Sequence, residues 1–115
     1  MLILNETIEE LRKLELHDQG INRIDFDFSK REITISFSVY EESASDHVGL
    51  IYEFSDVRSL IISQVDLKTF LDLEIHSHEV IARPEGDYSF RLEMLQGIGD
   101  PSSVIFFLFG QCRKL

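Results

Sequence analysis

"INRIDFDFSKREITISFSVY", residues 21–40, decides the fold. In its first half Ile24, Phe26 and Phe28 fall on one parity, and Asp25 and Asp27 on the other. In its second half Ile33, Ile35, Phe37 and Val39 alternate with Thr34, Ser36, Ser38 and Tyr40. Successive side chains of a strand point to opposite faces. A sustained period of two therefore predicts strands, and Ser29-Lys30-Arg31 leaves room only for a turn. The pair reads as an antiparallel hairpin with one wet face.

Working toward the N-terminus, "LHDQG", residues 16–20, is the corner that feeds this hairpin. Adjacent strand residues cannot meet, but at a turn His17 and Asp18 can. One reading makes them a base held by a carboxylate. The favoured one makes them structural: Asp18 caps backbone amides, Gly20 takes the positive φ, and His17 bonds a carbonyl. Before the corner, Ile8, Leu11 and Leu14 recur at helical spacing. Asn5 or Thr7 is the expected cap, Thr7 to Glu10 fits a capping box, and Glu9 with Lys13 is a helical ion pair.

Toward the C-terminus the two-residue period returns. Leu50, Tyr52 and Phe54 begin a third strand, and "LIISQV", 60–65, makes a fourth. Residues 66–82 are ambiguous. Leu67, Phe70 and Leu71 fit one helical turn, whereas Leu71, Leu73 and Ile75 favour a strand with Asp72, Glu74, His76 and His78 opposite. Tyr88, Phe90, Leu92 and Met94 alternate again, and "VIFFLF", 104–109, is apolar on both faces, as a buried central strand would be. The expected fold is mainly β (α+β): an antiparallel β-sandwich or partly closed barrel of about seven strands with a short N-terminal helix.

No linker composition or repeat divides the 115 residues, so residues 1–115 read as a single domain. Cys112 is the lone cysteine and cannot form an internal disulfide. The first residues lack the basic start and long apolar stretch of a signal peptide, and the longest apolar run is too short to span a bilayer. These features predict a cytoplasmic protein. The formal net charge of −10 repels phosphate backbones and anionic lipid heads, so nucleic acid and membrane are not expected partners. A basic protein partner is.

The expected contacts for such a partner are Asp25, Asp27, Glu41, Glu42, Asp46, Asp72 and Glu74. His76 and His78 are weak candidates for a metal. His-x-His on a strand places both imidazoles on one side, about 7 Å apart at their Cα atoms, and His17 or His47 would have to complete the set. A solvated face explains the same pattern, and no cofactor is expected. "GIGDPSS", 97–103, is too short for a phosphate cradle and no lysine follows it. Arg113 and Lys114 beside Cys112 are of the kind that lowers a thiol pKa, although a lone C-terminal cysteine is usually inert.

"LELHDQGINRIDFDF", then "EITISF", then "IYEFSDVRSLIIS" together resemble a loose group of small bacterial β-rich proteins with a Leu-His-Asp motif. Some members are similar to immunity proteins encoded beside polymorphic toxins. The resemblance spans roughly residues 14–63. It implies structural roles for Leu16, His17, Asp18, Ile21 and Ile24. It also implies a non-enzymatic binding protein, an immunity-type inhibitor that captures a basic partner through an acidic surface. Two alternatives stand beside it. One is a small metal-dependent or His-based hydrolase, which needs three of the named groups in one cleft. The other is a self-associating structural module. The protein is expected to be a monomer or homodimer.

Overall fold

The computed structural model describes residues 6–63, 73–96 and 103–115. Helix α1, Glu6–Lys13, precedes eight strands: β1 Gly20–Asp27, β2 Glu32–Glu41, β3 Asp46–Ser55, β4 Arg58–Ile62, β5 Leu73–Ala82, β6 Tyr88–Gln96, β7 Ser103–Phe109 and β8 Gln111–Lys114. They form one antiparallel sheet in the order β4-β7-β6-β5-β1-β2-β3-β8. The mainly β expectation with one short helix holds, with one strand more than expected. Residues 64–72, including Leu67, Phe70 and Leu71, lie outside the described residues, as do Asn5 and residues 97–102 of the expected turn.

The two edges of this order are joined through the chain. β4 continues β3 past a bend at Asp56, and β8 continues β7 past Gly110. The two bent stretches run side by side. Tyr52 faces Lys114, Phe54 faces Cys112, and Arg58 faces Leu108. The Gly110 N–H donates to the Ser55 carbonyl at 3.0 Å across the bend. A Cβ on residue 110 would sit 3.0 Å from the Asp56 side chain, which explains the glycine there. The sheet thus curls until its ends meet, a closure that removes most of its edges.

The opposite seam is short among the described residues. β1 and β5 share one registered pair, Gly20 with Glu74. Two backbone bonds of 2.9 Å flank it, Asp18 N–H to Ile75 O and Ile75 N–H to Gln19 O. Just beyond the contact each strand carries an irregularity, between Ile21 and Arg23 in β1 and between Ile75 and Ser77 in β5. An inserted residue bends a strand and reverses the parity of its faces. Ile21 and Ile24, three apart, therefore both turn toward the core.

The core gathers along the inner face of the sheet. Phe54, Phe90, Phe107 and Phe109 form an aromatic cluster, with Phe54 5.0–5.2 Å from each of the other three rings. Such tilted and edge-on contacts add to the burial of each ring. β7 lies between β4 and β6, and its residues alternate between buried and half-buried, as expected of a central strand apolar on both faces. Helix α1 contributes Ile8 and Leu11 to the same core. Its start at Glu6 places Thr7 inside the helix rather than at its cap, and Glu9 pairs with Arg12 instead of Lys13.

Candidate functional site

The four histidines divide three and one. The residue inserted at His76 shifts the register of β5, so His76 and His78 do not share a plain strand face as the spacing suggested. His78 turns toward the core, with its Nε2 donating to the Leu11 carbonyl at 2.8 Å and its ring 6.5 Å from Phe90. His76 stays beside His17, their ring centroids 5.7 Å apart. All three line a shallow pocket of about 470 Å³ together with Leu14, Glu15, Leu16, Gln19 and Ser77. His47 is elsewhere, edge-on to Tyr40 at 5.5 Å.

The role of His17 follows from this geometry. Its Nδ1 donates to the His76 carbonyl at 2.7 Å, which satisfies an acceptor on β5 that β1 no longer reaches. Arg12 Nε does the same for the Val80 carbonyl at 3.1 Å. Helix α1 and the corner after it thereby cover the exposed edge of β5. Asp18 acts through its backbone. It takes the left-handed conformation itself (φ 65), while Gly20 is an ordinary strand residue. Asp is among the few non-glycine residues that adopt this region readily. Its carboxylate lies 3.5 Å from His17 Nε2 and accepts no backbone amide among the described residues, so the capping role expected of it is not the one seen there.

The acidic candidates fall into separate groups. Asp25 and Asp27 belong to the β1–β2 hairpin, whereas Glu41, Glu42 and Asp46 belong to the β2–β3 tip. Glu32 and Glu41, the two ends of β2, are roughly 30 Å apart by strand rise. Glu74 is exposed near Gly20, and Asp72 lies outside the described residues. Asp25 pairs with Arg23 at 2.8 Å. Asp27 accepts from Ser29 Oγ at 2.9 Å and the Lys30 N–H at 3.1 Å, and these bonds hold its carboxyl below the usual carboxylate range. It is a turn cap.

The β2–β3 tip is different. Glu41 and Asp46 face each other in register, with Glu42 next in sequence, and all three are exposed. Glu41 accepts from Ser43 Oγ at 2.8 Å and Asp46 from the His47 N–H at 2.7 Å. None of the three carboxylates forms an ion pair with a described residue. Like charges opposed across strands destabilise a hairpin. Tyr40, half exposed, stands beside them.

Two further groups escaped the sequence. Phe26 and Phe28 stack at 6.2 Å and stay exposed at the β1–β2 tip, over a groove of about 130 Å³ shared with Val57 and Leu60. Asp87, buried at the β5–β6 turn, is held by Arg58 of β4 and by Arg83. Cys112 is buried, and that burial pushes its thiol up to about 12. Its cationic neighbours point away, Arg113 to Glu53 at 2.9 Å and Lys114 to Glu10 at 2.7 Å.

Among the described residues no group of three His, Cys, Asp or Glu is arranged to hold a metal ion, and no helix is long and apolar enough to cross a membrane. No family model and no curated protein matches the chain.

Proposed function

We propose that this chain is a non-enzymatic binding protein, of the immunity-inhibitor kind, that captures a basic protein partner at the β2–β3 tip. One observation carries the reading. Glu41, Glu42 and Asp46 are crowded with no cation paired to them among the described residues, an arrangement that costs the hairpin stability. A basic surface would relieve it. Tyr40 offers an amphipathic ring of the type that anchors interfaces. The −10 charge of the whole chain would speed encounter with such a partner. Asp25 and Asp27, which are committed within their own hairpin, drop out of the contact.

The test is affinity capture from the native cell extract with wild type and with Glu41→Lys/Glu42→Lys/Asp46→Lys. Basic proteins should be retained by wild type at low salt and released by the variant and by high salt. Equal recovery by the variant, or no recovery by wild type, overturns the reading.

A His-based hydrolase has one observation in its favour, the convergence of His17, His76 and His78 on one pocket. Two of these rings are already committed to main-chain carbonyls, so of the three only the His76 imidazole has both nitrogens uncommitted among the described residues. Hydrolysis of ester or phosphoester probes that is lost in His76→Ala would establish that activity.

A further inference from the structure

Strand β3 has two unlike sides. Toward β2 it is paired from Asp46 to Phe54. Toward β8 it is paired from Tyr52 to Ser55, with one further bond of 2.9 Å from the Leu115 N–H to the Ile51 carbonyl. From Asp46 to Leu50 no described residue pairs with it on that side. The backbone groups of alternate residues point to the same side of a strand. Those of Gly49 and His47 therefore point the way the Ile51 carbonyl does. The His47 N–H is taken by the Asp46 carboxylate at 2.7 Å. The Gly49 N–H and carbonyl have no partner among the described residues.

Nothing in the described fold calls for a glycine at position 49. Gly49 does not take a left-handed φ, and a Cβ built on it would meet nothing within 4 Å. A glycine inside a strand weakens it, and often marks a place where another backbone or a ligand comes close. Gly49 is exposed, and it shares the outer face of the hairpin with Tyr40, His47 and Ile51. Tyr40 and His47 oppose each other edge-on at 5.5 Å. Tyr40 is 49% exposed and Ile51 36% exposed. The glycine leaves a notch between two rings on one side and an aliphatic side chain on the other.

We propose that an extended segment of the basic partner adds to this edge as a strand, pairing with β3 from Asp46 to Leu50. The inference rests on the reading of the acidic tip above and adds how the partner is held. The backbone of the segment bonds the Gly49 N–H and carbonyl, the mode by which sheet edges capture extended peptides. One of its carbonyls replaces the Asp46 carboxylate on the His47 N–H. Asp46 is then free, beside Glu41, to take a lysine or arginine of the segment. Successive strand residues point to opposite faces. Cations on the face of Asp46 and Glu41 therefore leave the alternate positions for the outer face. There an aromatic or aliphatic side chain opposite Gly49 fills the notch, as cross-strand aromatics do for edge glycines. Charge selects this occupant over a second copy, which would bring the same carboxylates together and offer them no cation.

The probe is a short synthetic peptide that alternates lysine with valine or phenylalanine. It is compared with the same peptide methylated at every backbone nitrogen, and with glutamate in place of lysine. Wild type should bind the lysine peptide, and amide exchange followed by NMR should slow at Gly49. Methylation should weaken binding at least about tenfold, the effect of roughly 1.4 kcal/mol. Gly49→Val suits a strand better than glycine, so it should keep the melting temperature while it fills the notch and weakens binding by a similar factor. Equal binding of the methylated peptide, an unprotected Gly49 amide, or unchanged binding by a folded Gly49→Val overturns strand addition and leaves the acidic-tip reading standing. The first two of these are read on wild type and need no variant to fold. No binding of the lysine peptide by wild type at millimolar concentration, equal binding of the glutamate peptide, or equal binding by Glu41→Lys/Glu42→Lys/Asp46→Lys overturns both.

Discussion

Phenylalanines occupy two parts of this molecule with opposite results. At the junction of β3, β6 and β7, Phe54, Phe90, Phe107 and Phe109 are fully buried and touch one another. At the β1–β2 tip, Phe26 and Phe28 alternate just as regularly in sequence and stack on each other in the open. The difference lies in what stands opposite. The inner cluster is enclosed because β3 and β7 bend and carry the pairing on into β4 and β8. Among the described residues β1 is registered with β5 only at Gly20, so no described strand stands opposite the tip. Alternation shows that residues share a face; it does not show how far the opposing strand extends.

Substitutions should sharpen this contrast. Phe107→Ala should have the largest effect, a loss of about 3–5 kcal/mol, because it opens a cavity among three other rings. Its denaturation midpoint checks this. Asp87→Ala should cost about 1.5–3 kcal/mol, since a buried carboxylate bonded to two guanidinium groups loses charge-assisted contacts. Arg58→Ala should reproduce part of that loss, and additive behaviour of the two would show that they do not act together.

A smaller effect follows from acid. The Lys114 ammonium, hydrogen-bonded to Glu10, holds that carboxyl below its ordinary value of 4.5, and the Tyr52 hydroxyl adds a weaker bond. The folded form thus binds this proton less readily than the unfolded chain. Its contribution is complete above pH 4.5 and is lost as pH falls through the lowered folded value. Glu10 is partly exposed, so the whole contribution is at most about 1 kcal/mol. Glu10→Gln should flatten that part of the stability profile between about pH 5 and pH 3, read by thermal unfolding at about half-unit steps. Phe28→Ala should have the least effect, within about 0.5 kcal/mol of wild type. A loss as large as that of Phe107→Ala would mean that the tip is enclosed after all.

Much of the fold was legible because period-two alternation is strong wherever a strand has one buried face. Ile33, Ile35 and Phe37 are all buried in β2, and Phe90, Leu92 and Met94 in β6, as their spacing implied. β8 was not legible: Gln111–Lys114 buries a single residue, and one residue has no period. β4 begins at Arg58 rather than Leu60, and it carries Ser59 in a left-handed conformation that its sequence does not announce. The inserted residues in β1 and β5 left a clue in the three-residue spacings Ile21–Ile24 and Ile75–His78. Strict alternation looks past such spacings, and so it put His76 and His78 on one face. At the candidate site, Glu41, Glu42 and Asp46 were recognisable as residues, but their crowding depends on the Glu41–Asp46 register, which only the paired hairpin fixes.

The closing seam has a consequence for the order of folding. The β1–β2 and β2–β3 hairpins join near neighbours in the chain and can form early. The ladder of β3–β4 with β7–β8 must bring Glu53 to Arg113 across 60 positions, and Glu10 must reach Lys114 across 104. Closing such large loops carries an entropic cost before any contact rewards it, and proteins rich in distant pairings fold slowly for this reason. The rate-limiting step should therefore be the docking of the C-terminal strand pair onto preformed hairpins. Substitutions at Gly110 or Asp56 should slow folding more than equally destabilising ones in β2, because the bend they shape is where the two distant halves of the chain first have to agree.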